Sequence, residues 1–524
     1  MSISIPIDVK ELARLTASGE ELALFDVREA GEGEDGHIPG ATMLPRRQIE
    51  LRIPDLVQRR DTPIVVCDDG GDRAALAAAT LSGLGYGNVS VLAGGTAAWS
   101  AAGRPLETGS NTPSKRFAEH LAEEGAAPEV DCEKLEEWRR SGLAPLLLDI
   151  RPSDENAQAR IPGAWSAPSF DYVALAPALM QVGVPVVTHC AGRTRSLMAA
   201  ATLRLLGVPR AMALQDGTLG WMLSGRELET GAGNGRLELQ PDAAQGEALA
   251  ANLAGALEAV RPIEAEELAA LLAERARGRR NAYVFDVRPL SESEKARPVG
   301  ALALPGGQAV QRIDDFAPVR GAPIVLIDAQ EGQAHVTAYW LARLGYGDIR
   351  VLKGGMRAWE AHGLPLSAGR GRSQPLGLDA ATTAASPMAV EDAATALARP
   401  SPPLVIDVDS SRSFAAAHLP GARWMPRGWL EDRVRDLPKN TALLVTCGTG
   451  LHSAYAAATL RGLGFVRARS LAGGVAAWRA AGHKTERGAA PDADRVRDIL
   501  LPPSARGREG MLAYLQWERK LTAT

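Results

Sequence analysis

Residues 84–109 read LGYGNVSVLAGGTAAWSAAGRPLETG, and residues 344–369 read LGYGDIRVLKGGMRAWEAHGLPLSAG. Fifteen of these 26 positions are identical at an offset of 260, and the same offset carries LFDVRE (24–29) onto VFDVRP (284–289). A looser version of the phrase occurs in all four quarters of the chain. A Leu precedes a Gly-x3-Trp-x3-Gly frame by eleven residues at Leu84, Leu206, Leu344 and Leu463. The frames are Gly95/Trp99/Gly103, Gly217/Trp221/Gly225, Gly355/Trp359/Gly363 and Gly474/Trp478/Gly482. Four matches at one spacing establish an internal repeat, and a repeat governs every later reading of the chain.

Each repeat opens with an apolar run ending in Asp: LALFDVR (Asp26), LLLDIR (Asp149), YVFDVR (Asp286) and LVIDVD (Asp407). A second apolar run follows: PIVVC, PVVTHC, PIVLI and LLVTC. Unbroken Val/Ile/Leu runs suit parallel strands buried on both faces. The Ala- and Leu-rich stretches RAALAAATLSGLG and RSLMAAATLRLLG read as helices stopped by Gly. Alternating strands and helices predict an α/β fold, a doubly wound parallel sheet flanked by helices, repeated four times. The expected domains are 1–108, 126–228, 258–369 and 387–486, with a helical tail over 487–524. The linkers 109–125 and 227–258 each hold a short amphipathic helix. The linker 370–386 is read as polar and small-residue rich, and REGMLAYLQWERKL in the tail as a docking helix.

The 524 residues carry 58 Lys+Arg against 62 Asp+Glu, a net charge of −4, which argues against a general nucleic-acid footprint. No apolar run is long enough to span a bilayer, and MSISIPIDVK has no secretory pattern. Four cysteines make no disulfide framework, so a reducing cytoplasm is expected. Without a CxxC or Cys/His cluster, no metal and no cofactor are expected.

Three of those cysteines, Cys67, Cys190 and Cys447, end the second apolar run of a repeat; Cys132 is read as incidental on a surface helix. A thiol between a strand's carboxyl end and a helix N-terminus faces loop amides that favour negative charge, so its pKa is expected to fall. The loop Cys190-Ala191-Gly192-Arg193-Thr194-Arg195-Ser196 adds two arginines, suited to an anionic substrate. The alternative role weighed for Arg195 is a loop-bracing salt bridge to Asp149 or Asp154. The Cys67 loop runs one residue longer to Arg73 and holds Asp68, Asp69 and Asp72, which oppose both thiolate and anion. The Cys447 loop has no arginine before His452 and Ser453, and Ile327 stands at the expected thiol position of the third repeat.

These features resemble four tandem rhodanese domains, a sulfurtransferase family. Its carriers are the DVR-type strand, the turns His37-Ile-Pro39-Gly40-Ala41 and His418-Leu-Pro420-Gly421-Ala422, the Cys loop and the Gly-x3-Trp frame. The resemblance implies that Cys190 carries sulfane sulfur as a persulfide, with Ala191, Gly192, Arg193, Thr194, Arg195 and Ser196 binding the donor. It implies thiosulfate as donor, cyanide or a thiol as acceptor, and a protein as a further candidate acceptor. Cys447-Gly-Thr-Gly is similar to the mercaptopyruvate branch, which leaves that donor as an alternative for Cys447, with His452 as a departure. A persulfide carrier or docking scaffold with little turnover is the other alternative. The seven-residue Cys67 loop resembles dual-specificity phosphatases of this fold, but its carboxylates would repel a phosphate dianion and Val66 stands where their motif has His.

Overall fold

The computed structural model describes residues 5–231, 233, 234, 237 and 239–523. Residues 1–4 of the first expected domain, 232, 235, 236 and 238 of the second linker, and Thr524 of the tail lie outside the described residues. Two compact units are present: one contains Met1–Ser18, Leu22–Ser110 and Ser373–Leu500, the other Gly19–Glu21, Asn111–Arg372 and Leu501–Thr524. The outer repeats, one and four, therefore share one unit, and the inner repeats, two and three, share the other.

Repeat one forms a five-stranded sheet in the spatial order Ile5–Ile7, Val89–Leu92, Ile64–Cys67, Ala23–Asp26 and Thr42–Met43, and every pairing is parallel. Repeats two and three repeat this order. Repeat four has four strands, and Met388 bridges Leu471 where the others place an edge strand. The strands Ile64–Cys67, Val186–His189, Ile324–Ile327 and Leu443–Thr446, one in each repeat, are buried throughout, as their apolar runs require. Helices Arg73–Gly83 and Thr194–Leu205 follow the third-listed strands, and Gly85 and Gly207 beyond them take positive φ of 91° and 94°. That left-handed turn is where glycine costs least.

The Gly-x3-Trp frame is a clamp. A Cβ on Gly217 would collide with the Cys190 carbonyl, and one on Gly474 with the Cys447 carbonyl, so only glycine lets the helix approach the loop. The tryptophans are buried and pin the chain beyond: Trp221 Nε1 donates to Glu227 O at 2.9 Å and Trp478 Nε1 to Lys484 O at 2.8 Å.

In the unit of repeats one and four, Arg46 donates to Glu431 at 2.6 and 2.8 Å, and Arg427 donates to Glu50. Pro45-Arg46 and Pro426-Arg427 are equivalent segments, as are Glu50 and Glu431, so the two ion pairs are reciprocal. Such reciprocity is the mark of a two-fold contact between like surfaces. In the unit of repeats two and three, Gly307 N donates to Ser169 Oγ at 2.9 Å, Gln333 Nε2 to Asp171 Oδ1 at 3.2 Å, and Trp340 Nε1 to Thr202 Oγ1 at 2.9 Å.

The linker helices are Thr112–Glu123 and Ala243–Gly255, and a further helix, Leu378–Ala385, lies where the sequence suggested only a polar linker. The tail divides. Its first part joins repeats one and four, where Gly31 N donates to Arg497 O at 2.9 Å. Its helix Gly507–Arg519 belongs to the other unit. Cys132 begins a helix as expected but is buried with Leu135 and Leu147, so it is a core thiol rather than a surface one.

Candidate active site

The loops at the strands' carboxyl ends can be superposed by their hydrogen bonds. Cys190 O accepts from Thr218 N at 2.9 Å, and Cys447 O from Val475 N at 2.9 Å. In repeats one and three the same bond is accepted by Asp68 O, from Thr96 N at 2.8 Å, and by Asp328 O, from Met356 N at 2.9 Å. Strand register agrees: Asp26 pairs with Cys67, Asp149 with His189, Asp286 with Ile327 and Asp407 with Thr446. The thiol position of repeat one is thus Asp68, not Cys67, and that of repeat three is Asp328, not Ile327. Cys67 lies one residue earlier, inside the core with Leu24 and Val65. Alternation along a strand sends it to the face opposite the loop's. Counted from Asp68, the loop to Arg73 is as long as that from Cys190 to Arg195, so the seven-residue loop and its phosphatase reading fall away.

Both aspartates use the cradle meant for an anion. Asp68 accepts from Gly70 N at 2.8 Å and Ala74 N at 2.9 Å; Asp328 accepts from Ala329 N at 2.6 Å and Gln333 N at 2.8 Å. Burial lifts the Asp328 carboxyl to about 6. Burial, with Asp26 and Asp68 nearby, pushes the Cys67 thiol well above its ordinary range.

In repeat two, Cys190 is 3% exposed, and its Sγ lies 3.5 Å from Ser196 Oγ, which donates to Arg193 O at 2.8 Å. Ala191 O accepts from Leu219 N at 2.9 Å, so the loop is tied to the Gly-x3-Trp helix at two successive carbonyls. The two arginines part company. Arg193, expected on the donor, is spent on carboxylates: Glu119 at 2.7 and 2.9 Å, Glu129 at 2.8 and 3.0 Å, and Asp216 at 3.3 Å. Three acidic side chains around one buried guanidinium make it a brace. Arg195 reaches Glu155, rather than Asp149 or Asp154, through two long contacts of 3.3 Å. Its buried Nε has no hydrogen-bond partner among the described residues, and the guanidinium lies within electrostatic reach of Cys190. Gly192 and Thr194 lie under the C-terminal helix: Thr194 Oγ1 donates to Glu518 Oε1 at 3.1 Å. Behind the thiol, burial holds His189 below its ordinary range, with Asp149 3.8 Å away. Asp149 is itself clasped by Arg151 at 2.6–3.2 Å.

In repeat four, Ser453 N donates to Cys447 Sγ at 3.3 Å, and the thiol is fully buried. The Asp-Val-Arg pattern fails here because Asp409 replaces the arginine. Its carboxylate turns to the loop and accepts from Gly448 N at 2.8 Å. Burial raises the Cys447 thiol and Asp409 adds to it, against the Ser453 hydrogen bonds. Half-buried His452 is pushed down to about 4 by desolvation, with Arg427 and Arg47 adding to it.

Three groups escaped the sequence reading: Asp68 and Asp328 as occupants of the thiol position, Asp409 on the Cys447 loop, and Glu518 over the Cys190 loop. The first was readable, since 27 residues separate each of Asp68, Cys190, Asp328 and Cys447 from the first Gly of its frame. Glu518 had no local signal, because its contact spans more than 300 positions.

The family model described as rhodanese-like domain matches residues 8–102, 131–224, 264–362 and 389–481. A sulfurtransferase of Allochromatium vinosum is 36% identical over 100 residues, 19% of this chain and 92% of that protein. A thiosulfate sulfurtransferase of Azotobacter vinelandii is 30% identical over 252 residues, 40% of this chain and 90% of that protein. The crystal structure of a thiosulfate sulfurtransferase from Pseudomonas aeruginosa superposes with a TM-score of 0.87 at 33% identity, covering 99% of this chain and 97% of that one. With four matched domains, a shared architecture over nearly its whole length and a cysteine loop on the matching strand end, the chain belongs to the rhodanese family of sulfurtransferases.

Proposed function

We propose that the protein moves the sulfane sulfur of thiosulfate through a persulfide on Cys190 to cyanide or a thiol. The observation that carries this reading is the unpartnered, buried Nε of Arg195 beside a thiol at the strand end. A buried donor without a partner is costly unless a ligand satisfies it. The thiolate of Cys190 attacks the outer sulfur of thiosulfate. The sulfur–sulfur bond breaks, sulfite leaves with the electron pair, and Cys190 keeps one extra sulfur. Cyanide or a thiolate then attacks that terminal sulfur, giving thiocyanate or an acceptor persulfide, and the Cys190 thiolate returns. This is covalent nucleophilic catalysis in two displacements. Arg195 Nε would hold a sulfonate oxygen, and Ser196 Oγ stands beside the sulfur. Repeats one and three have a carboxylate in the cradle and serve as scaffold. Cys447, the other thiol at this position, faces Asp409. Mass spectrometry after thiosulfate treatment tests the assignment: one added sulfur is expected on the Cys190 peptide, and its appearance on Cys447 alone would refute it.

A further inference from the structure

The C-terminal helix Gly507–Arg519 lies on the Cys190 loop. A Cβ on Gly192 would meet Glu518 Oε2 at 3.2 Å and Tyr514 Cε1 at 3.6 Å, so these side chains roof the loop directly. Thr194 Oγ1 and Tyr514 OH both donate to Glu518 Oε1, at 3.1 and 2.9 Å. Glu518 is 1% exposed, and its second oxygen, Oε2, has no partner among the described residues. A buried carboxyl with one orphan oxygen over an anion-binding loop is not explained by helix packing, which leucine would serve better.

The helix is held by contacts at its rim. Arg519 Nη2 donates to Asp216 Oδ1 at 2.6 Å, and Arg508 Nη1 to Leu223 O at 3.0 Å. Beyond it, Thr522 Oγ1 donates to Glu123 Oε1 at 2.5 Å, and Leu515 and Leu521 are buried. Exposed or half-exposed polar contacts of this kind are individually weak. In repeats one and three the carboxylate in the cradle is part of the loop itself; over Cys190 it rides on an element at the end of the chain.

We propose that Glu518 is a selectivity gate for the Cys190 site: it occupies the place of a donor's negative charge, so that small anions are turned away while it is ionised and admitted when it is neutral or withdrawn. The proposal rests on the reading of Cys190 as the sulfur-carrying thiol. Around Glu518, Glu119 and Glu129 are salt-bridged to Arg193; Lys115, from the same helix as Glu119, lies over the Tyr514 and Trp517 rings; Arg195 pairs with Glu155; and Asp216 is held by Arg193 and Arg519. Tyr514, on the same helix, stays protonated, since burial lifts it well above its ordinary range. Burial likewise raises the Glu518 carboxyl, with Lys115 opposing, so it takes up a proton at a higher pH than an exposed glutamate.

The test uses the full chain and two alkylating probes of similar size, neutral iodoacetamide and anionic iodoacetate, with the Cys190 peptide followed by mass spectrometry. The ratio of the two rates cancels the thiolate fraction and isolates the charge above the thiol. In the wild type the iodoacetate-to-iodoacetamide ratio rises as pH is lowered and Glu518 takes up its proton. Glu518→Gln raises it about five- to tenfold at pH 8 and flattens its pH dependence, the scale of one like charge removed from a partly screened site. An unchanged ratio in Glu518→Gln overturns the gate. Should that variant not fold, a wild-type ratio that is flat with pH overturns it equally. Thiosulfate turnover measured on the same samples separates the two readings, because alkylation reports the surroundings of Cys190 whether or not it carries sulfur.

Discussion

Asp68 stands in repeat one where Cys190 stands in repeat two: the carbonyl of each accepts from the second residue of its Gly-x3-Trp helix, Thr96 at 2.8 Å and Thr218 at 2.9 Å. The Asp68 carboxylate occupies two amides of its own loop, those of Gly70 and Ala74, whereas on the proposed function a thiol leaves such amides for a transferred sulfur.

Cys190→Ser should abolish nearly all thiosulfate:cyanide turnover, while Cys67→Ser and Cys447→Ser retain most of it. Iodoacetamide should label Cys190 before Cys67, whose thiol is fully buried and raised by that burial. Retained activity in Cys190→Ser, or faster labelling of Cys67, would refute the assignment.

Arg195 and Arg193 should separate in kinetics and stability. Arg195→Met should lower kcat/KM for thiosulfate by about 1.5–3 kcal/mol, the scale of a charge-assisted hydrogen bond, with little change in melting temperature. Arg193→Met strands Glu119 and Glu129, leaves Asp216 to Arg519 alone, and should cost about 3–5 kcal/mol of stability, read from urea unfolding. A pure KM effect for Arg193→Met would return it to the substrate.

Asp407 should make repeat four less stable at neutral pH than in acid. Burial and Asp409 raise its carboxyl to about 7, whereas the unfolded chain ionises near 4. The folded state thus holds a proton that the unfolded state has lost, and stability falls as pH rises from about 4 to about 7. Asp407→Asn keeps the acceptor for Asp409 N and should raise the melting temperature at pH 8 with little change at pH 4. An equal gain at both pH values would contradict this.

The reciprocal pairs of repeats one and four should behave as buried ion pairs. Arg427→Met leaves Glu50 unpaired and should cost about 3–5 kcal/mol, and adding Glu50→Met should restore much of the loss. No recovery in the double variant would deny the coupling.

Four α/β repeats, their helices and the Cys190 loop were legible because apolar runs and the Gly-x3-Trp spacing are local signals. The one-residue error at Cys67 arose because a cysteine near a strand end drew the alignment to itself. The 27-residue distance to Gly95 would have pointed to Asp68. The opposite fates of Arg193 and Arg195 were not legible, since Glu119 and Glu129 lie more than 60 positions from Arg193. The helix Leu378–Ala385 was hidden by its small residues, LDAATTAA, which show no strong apolar stripe.

Repeat one is matched with repeat four and repeat two with repeat three, one bracket inside another. On a ribosome the opening bracket is made first and closed last. The last strand of repeat four, Ala468–Ser470, follows Val89–Leu92 of repeat one by about 380 residues. That is roughly 20–75 s at common synthesis rates, during which Arg46 and Glu50 await their counterparts. The inner bracket closes sooner, yet its helix Gly507–Arg519 emerges after repeat four has been made. A chain cut short before residue 500 therefore leaves both units unfinished, and the Cys190 loop waits more than 300 residues for the helix that roofs it.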